Sequence, residues 1–265
     1  MYDTKKYDIV ALDFGNSRLK ILTGGQLAAF EYTNDWDYEA VSFIFDNIST
    51  HFILGYSTVT DERTTTFFQT FSDRCIYNEF INSLSIINIE DMLRHQEILN
   101  FDGIEGIGCD RLLGLIGARN ERTGNIITVD CGTAITVNAC DKDGKCLGGA
   151  IFPGIHTQIS SLANKAEKLF ETAVYMPANI PAINTADAVR LGVLSSAIGG
   201  IKELISKYRI SFARDEQLSI FLTGGYSELI VKELNYNDCE VIINKTLVLQ
   251  GINKLIDIYS NGYMI

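Results

Sequence analysis

Basic side chains are the minority in this sequence: 22 Lys and Arg stand against 33 Asp and Glu, a formal net charge of −11. That balance argues against a nucleic acid or an anionic membrane as partner, since either needs a basic face; a local basic pocket for a nucleotide is still allowed. No apolar run approaches the roughly 20 residues that span a bilayer. The N-terminus, MYDTKKYDIV, has no signal-peptide apolar region and enters a strand almost at once. The six cysteines, Cys75, Cys109, Cys131, Cys140, Cys146 and Cys239, form no CxxC pair, and His51, His95 and His156 have no metal-ligand spacing. The expectation is a set of reduced thiols in a cytoplasmic protein. What is present is 46% apolar residues over 265 positions, enough core for one large domain or two ordinary ones, with 21% charged residues at the surface.

The richest stretch is Ile126–Gly154. Ile126–Val129 reads as a buried strand ending in Asp130, followed by the tight turn Cys131-Gly132-Thr133-Ala134 and a second β-rich run, Ile135–Cys140. Asp141–Lys145 is a hairpin signal, and Leu147–Phe152 returns before Pro153-Gly154 stops it. A carboxylate at a strand end, beside a glycine turn with N–H groups and a Thr hydroxyl, suits a phosphate bound with a metal ion. The plainer alternative is a hairpin whose Asp caps a turn.

A second copy favours the phosphate reading. Ile9–Leu12, Asp13, Phe14, Gly15, Asn16 and Ser17 repeat the pattern of apolar strand, Asp, any residue, Gly and small polar residue. Phe52–Ser57 likewise resembles Phe221–Ser227, glycines included. Two related halves, each with an Asp-x-Gly turn, suggest a nucleotide held between similar lobes. Such duplication is characteristic of the superfamily of acetate kinase, sugar kinases, heat-shock ATPases and actin.

In chain order, Tyr7–Leu12 and the run from Arg18 to Leu22 read as strands, with Gly24-Gly25 turning into a third, Leu27–Tyr32. Lys20 could reach a phosphate as a point charge, or be a solvated strand lysine. Phe52–Gly55 is a strand, a helix is expected from Thr64 to Ser83 through Phe67, Phe68, Phe71, Cys75 and Phe80, and Ser85–Ile89 is a short strand. Residues 90–107 read mainly as loop. Asp110 and Arg111 then precede an apolar helix, Leu112–Ala118. An ionised Asp at a helix start can act as a general base toward a hydroxyl; the alternative is a helix cap with Arg111 paired at the surface. Ile159, Leu162, Ala163, Ala166, Leu169 and Phe170 mark an amphipathic helix, Val174–Ile183 a loop, and Asn184 the N-cap of a helix from Thr185 to about Tyr208. On that helix Ala188, Gly192, Ser195 and Gly199 form a stripe of small residues, fitting lobe packing or a dimer interface. Leu218–Leu222 is a buried strand entering Thr223-Gly224-Gly225, and Gln250–Ser260 a final helix.

The ordered motifs Asp13-x-Gly15-Asn16-Ser17-x-x-Lys20, Gly108-x-Asp110-Arg111, Asp130-x-Gly132-Thr133-Ala134-x-Thr136, Gly148-Gly149-x-Ile151-x-Pro153-Gly154, Asn184-Thr185 and Leu222–Gly225 resemble those of type III pantothenate kinase across nearly the whole chain. The resemblance implies an α/β protein of two duplicated RNase-H-like lobes (the actin-like ATPase fold), 1–118 and 119–265, with nucleotide between them. It implies ATP-dependent phosphorylation of pantothenate, the first step of coenzyme A synthesis, in a homodimer. Asp13, Gly15, Asn16, Ser17 and Lys20 would form the first phosphate loop, with Asp13 near Mg²⁺. Gly132, Thr133 and Ala134 would form the second, with Asp130 at a monovalent cation, K⁺ or NH₄⁺. Asp110 would be the general base, Gly108, Asp110, Arg111 and Thr185 would bind pantothenate, and Thr223, Gly224 and Gly225 would lie near the nucleoside.

The chain departs from the family pattern at several points. Asn138 stands where an Asp is usual, Ser17 replaces Thr, no arginine appears in His156–Ser161, and the Tyr/Pro pattern before Gly108 is missing. These departures keep two alternatives open: a non-catalytic relative that binds nucleotide or pantothenate and regulates a partner, and a kinase for another small hydroxylated metabolite.

Overall fold

The computed structural model describes residues 7–76, 81, 83–165, 173–212 and 216–262. The chain divides into two compact units: Met1–Leu99 with Gly106–Asn120 and Thr246–Ile265, and Asn100–Glu105 with Glu121–Lys245.

The first unit is built on a five-stranded sheet. Its strands are β1 (Asp8–Phe14), β2 (Arg18–Thr23) and β3 (Gln26–Glu31), then, after helix α1 (Trp36–Asp46), β4 (His51–Thr58) and, after α2 (Asp61–Ile76), β5 (Ser83–Asn88). The order is β3-β2-β1-β4-β5. The β1–β2 and β2–β3 pairs are antiparallel, and β1–β4 and β4–β5 are parallel. The short helix α3 (Ile89–Leu93) and α4 (Cys109–Glu121) follow.

The second unit repeats this plan. Strands β6 (Asn125–Cys131), β7 (Ala134–Cys140) and β8 (Cys146–Pro153) lead into helices α5 (Ile155–Lys165) and α6 (Thr185–Arg209). Then come β9 (Leu218–Thr223), α7 (Ser227–Val231) and β10 (Glu240–Ile243). Read from β8, the order β8-β7-β6-β9-β10 has the same sequence of antiparallel and parallel pairs as the first sheet. The duplicated RNase-H-like lobes expected from the sequence are therefore present.

The last helix, α8 (Leu247–Gly262), belongs to the first unit, where it packs on β1 and β4. A Cβ added at Gly55 in β4 would lie 2.5 Å from Ile256 Cδ1 and 3.1 Å from Ile252 Cγ2. That contact corrects the glycine match between the two late repeats. By register Asp13 pairs with Ser57 and Asp130 with Thr223, so Ser57 corresponds to Thr223. Gly55 is an interior strand residue under a helix, whereas Gly224 lies beyond its strand.

The two cores are separate. In the first, Val10, Leu12, Phe14, Leu54, Phe67 and Phe71 are buried with Trp36 and Ile44 of α1. The second gathers Ile127, Val129, Ile135 and Val137 with Leu194, Ala197, Ile201 and Ile205 of α6. No local pattern in the sequence marks an element between Tyr32 and Phe52. Helix α1 fills that gap without an N-terminal signal: Asp35 is in the left-handed region (φ 63°) and its side chain makes no cap bond. At α6 the signal is present, because the Asn184 side chain accepts from Asp187 N–H at 2.9 Å. Helix α2 begins at Asp61, three residues before the expected Thr64. The expected helical positions Phe80, Ala166, Leu169 and Phe170 lie outside the described residues. Residues 94–107 form a connection tied by Gln96, whose Oε1 accepts from Ile98 and Leu99 N–H. No helix among the described residues is long and apolar enough to cross a membrane.

Candidate functional site

In both units the Asp of Asp-x-Gly stands at the end of the sheet's central strand, and the intervening residue, Phe14 or Cys131, is fully buried. Alternation along a strand sends neighbouring side chains to opposite faces, so the buried residue anchors the turn while the Asp faces the other way. In the first turn Asp13 is 8% exposed. Ser57 Oγ donates to its Oδ1 at 3.4 Å, and Lys20 Nζ lies 3.9 Å from its Oδ2. Lys20 is thus aimed at the carboxylate rather than at solvent, as the β1–β2 pairing of Asp13 with Lys20 requires. No motif in the sequence marks Ser57 as a site residue; the repeated Phe52–Ser57 segment is the signal that points to it.

Asp110 is the second residue of α4. A Cβ at Gly108 would lie 2.5 Å from Asp110 Oδ1, and apart from its chain neighbours no other described residue comes within 4 Å. The carboxylate therefore folds back over Gly108, which is why a glycine precedes it by two positions. The adjoining Cys109 thiol is buried, and its pKa is pushed up to about 12, first by burial and then by the negative charges of Glu90, Asp110 and Asp13. Cys109 is also hydrogen-bonded with Ser57, the residue whose hydroxyl donates to Asp13, which links the first turn to the start of α4. Glu90, one of two acids in the first turn of α3, contributes to the negative charge acting on Cys109 and is marked by no motif. Such a thiol stays protonated at neutral pH and is no nucleophile.

In the second turn Gly132 N–H donates to Ala134 O at 3.1 Å. Thr133 O accepts from Gly154 N–H at 2.9 Å and from Thr157 Oγ1 at 2.6 Å. Gly224 has φ +86°, and a Cβ there would lie 2.5 Å from Asp130 Oδ1 and 2.6 Å from the Cys131 backbone. Glycine is needed at this position both for its dihedral and for the approach of the Asp130 carboxylate. Thr223 is buried beside Asp130 in the parallel register, and Gly225 is exposed. Asn138 is 2% exposed and lies further along β7 from the turn than Thr136, to whose Oγ1 its amide donates at 3.4 Å. A buried amide costs less there than a buried ionised carboxylate would. Thr185 is the exposed first residue of α6 and belongs to the second unit, whereas Gly108, Asp110 and Arg111 belong to the first. His156 is exposed on α5. The six cysteines are thiols rather than disulfides.

Two lobes of the same topology, each with an Asp-x-Gly turn at the end of its central strand, define the actin-like ATPase fold. The crystal structure of a conserved Baf family protein from Campylobacter jejuni has this fold, with a TM-score of 0.60 and 21% identity over 95% of this chain and 99% of that one. The type III pantothenate kinase family profile matches residues 9–207, and the chain belongs to that family. A type III pantothenate kinase of Dehalococcoides mccartyi is 33% identical over 154 residues, 58% of each chain. One from Bifidobacterium animalis subsp. lactis is 30% identical over 185 residues, 67% of this chain and 70% of the relative. The match therefore spans less than two thirds of the D. mccartyi relative's length.

Proposed function

We propose that the protein transfers the γ-phosphoryl group of ATP to the primary hydroxyl of pantothenate, in the cytoplasm and as the first step of coenzyme A synthesis. The observation that carries this reading is the chain of contacts from Asp13 to the start of α4: Ser57 Oγ donates to Asp13 at 3.4 Å and is also hydrogen-bonded with the Cys109 thiol, the residue next to the candidate base Asp110. Phosphoryl transfer asks a protein mainly for positioning and charge stabilisation. The Asp13–Lys20 and Asp130–Ala134 turns serve as phosphate loops, and Thr223, Gly224 and Gly225 lie by the nucleoside. Lys20 offsets phosphate charge. Asp110 aligns the acceptor hydroxyl and takes its proton. Gly108, by leaving room for the carboxylate, sets where that proton goes. Arg111 and Thr185 hold pantothenate.

The oxygen donors at both turns fit the expected cations. Asp13, with the Ser57 hydroxyl beside it, is a hard carboxylate of the kind Mg²⁺ takes together with phosphate oxygens and water. Asp130 would hold the monovalent ion, K⁺ or NH₄⁺. With Asn138 as an amide and not a carboxylate, that site is looser than in relatives with an Asp there. When bound, these ions neutralise charge that Lys20 and Arg111 alone leave uncompensated.

The active form is a homodimer. The α6 stripe Ala188, Gly192, Ser195 and Gly199 is solvent-exposed, opposite the buried Val193, Leu194 and Ala197. Ile151, Ile180 and Ile183 of the same unit are 60%, 69% and 79% exposed. Small residues permit close helix approach, and exposed isoleucines provide apolar area for an interface.

A coupled ATP-consumption assay with pantothenate and a panel of other small alcohols tests the function. Turnover with pantothenate alone among the panel is expected. Turnover with a different alcohol reassigns the acceptor, and nucleotide binding without any turnover makes the protein a non-catalytic relative.

A further inference from the structure

We propose that Tyr32 and Arg63 are positioning residues of the first phosphate loop, a clamp behind Gly15–Ser17 that directs the N–H groups of Asn16 and Ser17 toward a bound polyphosphate. Tyr32 stands just past β3 and Arg63 in the first turn of α2, and neither lies in a motif. The Tyr32 hydroxyl donates to Gly15 O at 3.0 Å. Arg63 donates from Nη1 to Asn16 O, the next carbonyl along the loop. The two side chains also hold each other, because the Arg63 guanidinium lies 3.9 Å from the centroid of the Tyr32 ring. Tyr32 is in turn fixed edge-on to Trp36 at 4.8 Å, and Trp36 stacks on Phe67 in the core.

The consequence follows from peptide geometry. In a planar trans peptide the C=O of one residue and the N–H of the next point in opposite directions. Tying back Gly15 O turns the Asn16 N–H away from Tyr32, and tying back Asn16 O turns the Ser17 N–H away from Arg63. Gly15 N–H is committed within the loop, to Asp13 O and Arg18 O, both at 3.2 Å. Two successive N–H groups are thus presented on the side opposite the clamp, the arrangement that binds anions. Burial, against the opposing pull of the Arg63 charge and with a smaller push from Asp13, raises the Tyr32 pKa to about 12, so its hydroxyl remains a donor across the neutral range. The second loop is secured in the same manner, with Gly154 N–H and Thr157 Oγ1 on Thr133 O. Arg63 therefore serves the phosphates through the backbone, without touching them.

This inference rests on the phosphate-loop reading, and the test separates the two. Binding of ATP, inorganic tripolyphosphate and adenosine is measured by calorimetry on the parent, Tyr32→Phe, Arg63→Ala and Arg63→Lys, alongside KM and kcat and the thermal midpoint of each. Tyr32→Phe is expected to weaken ATP and tripolyphosphate roughly 3- to 10-fold. Arg63→Ala is expected to weaken them roughly 10- to 30-fold, with part recovered by Arg63→Lys, which keeps a charged donor. Adenosine affinity is expected to stay at the parent value, and KM for ATP to move more than kcat. A purely structural role would lower the thermal midpoint while leaving the phosphate-specific difference untouched. Parent-like tripolyphosphate binding in Tyr32→Phe and Arg63→Ala overturns the clamp alone. A parent that binds neither ATP nor tripolyphosphate overturns the loop reading, and the clamp with it.

Discussion

Replacing Gly108 with Ala moves the Asp110 carboxylate with little disturbance elsewhere. The new Cβ would lie 2.5 Å from Asp110 Oδ1 and 3.7 Å from its Cγ, and apart from the chain neighbours no other described residue comes within 4 Å. Gly108 is not in the left-handed region, so Ala adds no backbone strain there. The carboxylate must rotate off its position, at a cost of about 0.5–1.5 kcal/mol for an off-rotamer side chain. Ala in place of Gly returns about 0.4–1 kcal/mol through the unfolded chain. These contributions offset to within about 1 kcal/mol, a shift in melting temperature of no more than about 2–4 °C. Turnover should respond far more, because displacement of a reacting group by roughly 1 Å can cost about 10²-fold. A fall in kcat of about 10- to 10²-fold with pantothenate and ATP is expected, with ATP affinity nearly unchanged. Asp110→Asn, which keeps the shape and removes the base, should fall further, by about 10²–10⁴-fold. Parent-like kcat in a folded Gly108→Ala would refute the reasoning that the carboxylate works from its place over Gly108. Intact turnover in Asp110→Asn would remove Asp110 from the mechanism altogether.

Two further expectations concern the cation and the assembly. Rates compared in K⁺, NH₄⁺ and Na⁺ buffers of equal ionic strength should differ for the parent, and Asp130→Asn should lose that preference together with most ATP affinity; equal parent rates in all three salts would mean that no monovalent site is used. Light scattering should give a particle of two 29.4 kDa chains, and a fully active single chain would exclude the dimer as the active form.

The local elements were legible because their causes are local. Alternating and continuous apolar runs marked the strands, and a glycine at φ +85° in Asp141–Lys145 made the hairpin. The side chain of Asn184 started α6. Both Asp-x-Gly turns could be found because the repeat lies in the sequence itself. Helix α1 is not legible in the sequence because its start carries no cap bond and its apolar residues, Trp36, Val41, Phe43, Ile44 and Phe45 among them, are not confined to one stripe.

Tertiary structure decided the pairings that carry no period and no motif. Strand register, and not the glycines, made Ser57 the counterpart of Thr223 and put its hydroxyl on Asp13. The return of α8 to the first sheet placed Ile252 and Ile256 over Gly55, a contact some 200 residues apart in the chain that apolar burial rewards but no local pattern announces. Tyr32 and Arg63 meet the Gly15–Ser17 turn from two different elements, as Gly154 and Thr157 meet Thr133 from beyond the hairpin. A sequence records which side chains can donate and which carbonyls lie exposed in a turn. Which donor reaches which carbonyl depends on the packing of the sheet and helices that carry them, because a hydrogen bond forms only within about 3 Å and in the right direction.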